Sequence, residues 1–140
     1  VGPALAVEEV IAYLLENRAL MMDFFERRLP DLRVFPPEAT YMAWLDCRDL
    51  GLPADPFNFF LEHARVALTG GNEFGAPGKG FARINFATSR TILLEILERM
   101  ETAFIDAPRL ASTRPSDHLE PAHVDAGQVL RYRPIAGEDE

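Results

Sequence analysis

The spacing of hydrophobic positions switches along the chain between helical and strand periods, and each switch marks an element. Val7, Ile11, Leu14, Met21, Phe25 and Leu29 recur every three to four residues, apart from one gap, and predict an amphipathic helix over 7–29. Glu8 and Glu9 fall in its first turn and Arg27 and Arg28 in its last, complementing the helix dipole, and Pro30 stops it. Arg33-Val34-Phe35 reads as a short strand. After a Pro36-Pro37-Glu38-Ala39 turn, residues 40–47 alternate, with Tyr41, Ala43 and Leu45 on one face and Met42 and Trp44 on the other. Both faces are apolar, as expected of a central strand covered on at least one side. Asp55-Pro56 is an N-cap and first-turn pair, and it predicts a second helix over 57–65 that buries Phe57, Phe60, Leu61 and Ala64. Val66–Thr69 reads as a strand, residues 70–80 as a loop with five glycines, and Phe81–Phe86 as a further strand. Thr88 or Ser89 then caps a helix running to Ile105. Its buried stripe is Ile92, Leu93, Ile96, Leu97, Met100 and Phe104, with Glu95, Glu98 and Glu101 facing water.

Helix, two strands, helix, two strands, helix is the order of an α+β fold, with helices packed against a small, mainly antiparallel sheet. From Ala107 the pattern breaks down. Pro108, Pro115, Pro121 and Pro134 interrupt a polar, acidic-ended segment in which only Gln128–Arg133 has strand character. Residues 1–106 therefore read as the folded domain and 107–140 as an irregular tail, with no internal repeat.

Composition narrows the function classes. A chain of 140 residues, 48% hydrophobic, fits one globular domain with a real core. A formal net charge of −8 argues against a nucleic-acid-binding surface. No apolar run approaches the roughly 20 residues needed to cross a bilayer, and no signal-peptide pattern is present, so a membrane partner is not expected. Cys47 is the single cysteine. It forms no internal disulfide, suits a reducing cytoplasm and reads as a buried structural thiol. His63, His118 and His123 have no metal-ligand spacing with it or with each other beyond a lone H-x4-H in the tail, so no metal site is expected. The glycine loop lacks the order of a phosphate-binding loop, since Phe81 follows Gly80 and a strand follows the loop. The chain has 13 arginines and one lysine, Lys79, so any chemistry requiring a lysine amine must use Lys79 or a lysine outside this chain. The chain begins at Val1 without an initiator methionine, which fits a piece of something longer.

The most informative stretch is Gly78-Lys79-Gly80-Phe81-Ala82-Arg83-Ile84-Asn85-Phe86-Ala87. Alternation sends Ala82, Ile84 and Phe86 to the core and Phe81, Arg83 and Asn85 to the opposite face. A guanidinium held on a strand face by rigid neighbours can clamp a carboxylate, because its planar fork makes two parallel charge-assisted hydrogen bonds. A plain arginine on a solvated sheet face is the competing reading.

Three ordered motifs carry a resemblance. They are Tyr13-Leu14-Leu15-Glu16-Asn17-Arg18, similar to a YL-x-x-NR helix; Pro36 to Arg48, similar to P-x-E/G-A/G-T-Y-L-A-W-L-D; and Ala67-Leu68 to Phe74-Gly75 with Gly80 to Arg90, containing F/V-x-R-I/L-N-F/I. Over residues 7–105 the chain resembles the C-terminal small domain of pyridoxal-phosphate-dependent enzymes of fold type I, in the class I/II aminotransferase family, closest to the cystathionine β-lyase (C–S lyase) type. The resemblance implies that Arg83 grips the α-carboxylate of an amino-acid substrate. Phe74 would form a wall of the active-site mouth, and Tyr41 would stand near its entrance. It also implies a large domain of the same polypeptide that supplies the cofactor lysine and the other residues holding pyridoxal phosphate, and a homodimer at full length. None of the cofactor-binding motifs is in this chain, and no catalytic residue is assigned to it, so the chain alone should be inactive. The reaction of the whole would be β-elimination or transamination. Two other readings stay open: a stand-alone domain that binds an amino acid or a protein, and a structural fragment whose first helix exposes an apolar patch where a large domain would dock.

Overall fold

A computed structural model describes the backbone of residues 3–112 and the side chains of residues 6–107. Helix α1 (Pro3–Arg28) leads to strands β1 (Arg33–Phe35) and β2 (Met42–Asp46). Helix α2 (Pro56–Phe59) continues as a wider π turn over Phe60–Ala64. Strands β3 (Thr69–Gly70) and β4 (Phe81–Asn85) precede helix α3 (Arg90–Ser112). The sheet order is β1-β2-β4-β3, and every pairing is antiparallel. This is the α+β architecture expected from the alternation of periods.

The core lies between one sheet face and the helices. Ala43 and Leu45 of β2, Ala82 and Ile84 of β4, and Phe86 just beyond it are buried against Met21, Phe25 and Leu29 of α1 and Leu93, Leu97 and Met100 of α3. Phe59 and Phe60 of the second helix fill the same core with rings 5.2 Å apart. Asp55 caps that helix as its sequence predicts, accepting from the Phe57 N–H at 3.1 Å, with Pro56 in the first turn. Two polar contacts fasten α1 to the rest. Asn17, fully buried, donates through Nδ2 to the carbonyls of Phe86 (3.0 Å) and Thr88 (2.8 Å). Arg28 forms a two-pronged pair with Glu101 of α3, both contacts 2.7 Å.

Several expectations are corrected. α1 begins at Pro3, which moves Glu8 and Glu9 out of its first turn. Val7 and Ile11, part of the predicted amphipathic stripe, are exposed by half or more; Leu14 packs partly buried against the core, and the fully buried apolar stripe begins at Met21. Ile92 is likewise half exposed, and Glu101 is drawn out of water by Arg28. Phe59 is fully buried while Phe57 and Leu61, expected to be buried, are only partly so; Phe57 lies instead against Gly70 of the edge strand β3. β2 is shorter than 40–47, since Thr40 takes φ 69° and breaks the extended run. Tyr41 therefore does not share the buried face of Ala43 and Leu45. The strand predicted at 66–69 forms only at Thr69–Gly70, although Val66 and Leu68 are buried. α3 runs through Ser112, past Ile105, taking in residues 107–112 that were assigned to the irregular tail. The candidate strand Gln128–Arg133 and the tail histidines His118 and His123 lie outside the described residues.

Asn17 gives the first test. Asn17→Ala would leave the buried Phe86 carbonyl without this donor, at a cost of about 1–3 kcal/mol, and would also remove the bond to the part-buried Thr88 carbonyl. Urea denaturation should show that loss; an unchanged midpoint would mean the two bonds contribute nothing.

Candidate functional site

The sheet face turned away from the core is set by the β2–β4 register. Trp44 pairs with Arg83 and Asp46 with Phe81, while Phe35 of β1 lies opposite Trp44, and Thr69 of β3 opposite Arg83. One row across the sheet therefore reads Phe35, Trp44, Arg83, Thr69, and the next reads Arg33, Asp46, Phe81. Alternation keeps all of them off the core face.

Arg83 is half-buried in the middle of this face. It forms no ion pair or hydrogen bond among the described residues, unlike Arg28, Arg33, Arg48, Arg90 and Arg99, each of which meets a carboxylate. Its guanidinium carbon lies 4.9 Å from the centre of the Phe74 ring. Phe74 stands edge-on to Trp44 at 5.5 Å, and Trp44 stacks on Phe81 at 5.4 Å with the ring planes 15° apart. Arg48 covers the far side of Phe81 at 4.7 Å. It also grips Asp46 with Nε and a terminal nitrogen, each at 2.8 Å. These contacts hold the Asp46 carboxyl below its ordinary value of 3.8, chiefly through the side-chain hydrogen bonds from Arg48, against the opposing effect of burial.

Of the predicted site residues, the structure brings Arg83 and Phe74 together. Tyr41 is exposed at the entry to β2, and no hydrogen bond or ring contact links its side chain to Arg83. Trp44, Phe81, Arg48 and Asp46 were not assigned to the site. The signal was present in the alternation that puts Trp44 and Phe81 on the same face as Arg83; only the strand register joins them.

The loop over 70–80 positions Phe74 by close backbone packing. A Cβ on Gly71 would lie 2.0 Å from the Gly78 carbonyl oxygen, and one on Gly78 equally close to that of Gly71, so neither position admits a side chain. Gly80, at φ 83°, passes under Arg48. Asn72 donates to Asp55 at 2.9 Å and ties the loop to the cap of α2. Gly71 and Gly78 thus pack backbone against backbone.

The motif around residues 13–18 is explained as structure. The Tyr13 hydroxyl accepts from the Arg90 N–H at 2.8 Å, Glu16 pairs with the Arg90 side chain, and Arg18 donates to the Pro37 carbonyl at 2.9 Å. With Asn17, these contacts clamp α1 against the one end of the strand pair where β2 begins and β4 ends.

No family model matches the chain. It is 41% identical over 113 residues to a provisionally assigned cystathionine beta-lyase of Mycobacterium leprae, a match covering 71% of this chain and 28% of the relative. It is 33% identical over 103 residues to the cystathionine beta-lyase of Bacillus subtilis, covering 73% of this chain and 26% of the relative. The structure superposes on the pyridoxal-phosphate-bound C–S lyase of Staphylococcus hominis with a TM-score of 0.67, at 29% identity over 71% of this chain and 27% of that one. The chain is homologous to a segment of the pyridoxal-phosphate-dependent C–S lyases and aminotransferases. Cystalysin of Treponema denticola, whose crystal structure contains pyridoxal 5'-phosphate, matches with a TM-score of 0.66 at 32% identity, over 71% of this chain and 25% of that one. The chain spans only about a quarter of the length of these relatives.

The residues present do not fit that cofactor. Its anchor is a lysine amine in a shielded pocket, whereas Lys79, the sole lysine, is exposed in the glycine loop. It borders a cleft of about 400 Å³ with Cys47, Arg48, Asp55 and Asn72, and Arg83 does not line that cleft. A second cleft of about 520 Å³, between α1 and Ala87–Ser89, does not include Arg83 either.

Two tests follow from the titrating groups. Burial pushes the Cys47 thiol up to about 12, so at pH 8 it is a protonated, enclosed group. Iodoacetamide should leave it unlabelled until denaturant is added; rapid native labelling would refute the burial. The Asp46 value is lowered on folding, so its stabilising contribution is present above the ordinary carboxyl range and is lost as pH falls through its folded value below 3.8. Asp46→Asn should remove part of the acid sensitivity of unfolding and lower stability at pH 7 only modestly, because the Arg48 side chain is mostly exposed. An unaltered pH–stability curve would contradict the pairing.

Proposed function

We propose that this chain is the C-terminal small domain of a pyridoxal-phosphate-dependent enzyme acting on an amino acid, by β-elimination or transamination, and that Arg83 binds the substrate α-carboxylate. The observation that carries the reading is Arg83 itself, a half-buried guanidinium on the functional sheet face with no carboxylate partner among the described residues. In a chain of net charge −8 that places most of its other described arginines against acids, an open fork lying over the Phe74 ring is suited to an incoming carboxylate. A carboxylate gripped by two parallel hydrogen bonds fixes the direction of the bonds at the substrate's α-carbon, which is a positioning contribution to catalysis.

The cofactor and its lysine fall to the rest of the polypeptide in this reading, and the chain by itself is inactive. The exposed apolar residues Val7, Val10, Ile11 and Leu15 along the first half of α1 support a missing large domain over a self-contained binding module. A module that folded and worked alone would be expected to cover them.

Steady-state kinetics of the full-length protein test the assignment. Arg83→Ala should lower kcat/KM for the amino-acid substrate by about 100-fold or more, and Arg83→Lys should lower it less, because it keeps the charge but loses the fork. Near-normal kinetics in Arg83→Ala would overturn the assignment.

A further inference from the structure

We infer that Phe74 is a positioning residue for Arg83. Its ring, backed by Trp44, fixes the plane of the guanidinium and so sets how well the site distinguishes a carboxylate from a neutral group of the same shape. This rests on the proposed role of Arg83. A phenylalanine side chain left 51% exposed on a loop gains little from burial, yet the loop that carries it is held by contacts that permit little movement. Gly71 and Gly78 pack backbone to backbone, Gly75 N–H donates to the Asn72 carbonyl at 3.2 Å, and Gly78 N–H to the Gly75 carbonyl at 3.0 Å. Asn72, two residues from Phe74, is tied to Asp55. Gly75, at φ 97°, turns the chain immediately after the ring.

The ring held this way lies 4.9 Å from the Arg83 guanidinium carbon. The quadrupole of an aromatic face attracts a cation, and stacking restricts the planar fork to fewer orientations. Trp44, directly across the strand pair from Arg83, meets Phe74 edge-on and stacks in turn on Phe81. Phe81 is capped by Arg48, whose guanidinium is locked by buried Asp46. The sequence of contacts ends in a fixed ion pair, so the ring beneath Arg83 has a firm support. Arg48 satisfies its charge within this support, and Arg83 is left to meet the ligand.

The test uses the full-length protein and two probes, L-alanine and L-alaninamide, whose binding is measured by calorimetry. The ratio of the two affinities reports recognition of the carboxylate and cancels effects common to both. Phe74→Leu should reduce the preference for L-alanine about three- to tenfold, the size expected from losing one cation–aromatic contact. Phe74→Tyr should restore it, and Phe74→Leu should change nothing further in an Arg83→Ala background. Equal weakening of both probes, or an unchanged ratio, in Phe74→Leu would overturn the inference. If Arg83→Ala lowers the ratio while Phe74→Leu does not, only the role of Phe74 fails. If Arg83→Ala leaves the ratio unchanged, the carboxylate assignment fails, and the inference with it.

Discussion

The register between β2 and β4 is the constraint on which everything else here depends. Pairing Trp44 with Arg83 and Leu45 with Ala82 puts small and aliphatic residues inside and aromatic and charged residues outside. A slip of one residue in either strand would turn that strand over. In β4 it would drive Arg83 into the core without a partner, a penalty of about 3–5 kcal/mol for an uncompensated buried charge. The core selects the register, and the register assembles the site. The two cannot vary independently.

The candidate site is thereby divided between rigid and irregular parts. The strands supply Arg83, Trp44 and Phe81, while Phe74 comes from a loop that owes its shape to backbone contacts at Gly71 and Gly78. Glycine is needed there because no Cβ fits. The α1 clamp, through Asn17 and the Tyr13–Arg90 and Arg18–Pro37 contacts, holds the helix against residues that precede β2 and follow β4. A motif that looks functional by its composition acts by holding the functional strands in place.

Much of this was legible in the sequence, for a physical reason. Alternation over Phe81–Phe86 identified both faces of β4, since burial on one side forces a period of two, and Asp55-Pro56 announced a helix because cap chemistry is local. The failures arose where tertiary packing decides. Val7 and Ile11 carry helical periodicity but no partner among the described residues covers them. Phe59 is buried, and Phe57 is set against Gly70 at the sheet edge, by where the short helix docks, which its own sequence does not encode. Arg48 pairs with Asp46 two residues before it, but its approach to the Phe81 ring exists only once β2 and β4 are joined. The place of Arg83 on the outer face of β4 is legible because strand alternation is local, whereas its contact with Phe74 depends on the path of a loop.

A crystal structure of the full-length protein with a bound amino acid would examine the central claim most directly. The account predicts the ligand carboxylate facing the Arg83 guanidinium with two nitrogen–oxygen distances of about 2.7–2.9 Å, and the Phe74 ring still lying against the guanidinium. A carboxylate held by other residues, with Arg83 turned to solvent or paired with an acid from elsewhere in the protein, would contradict it.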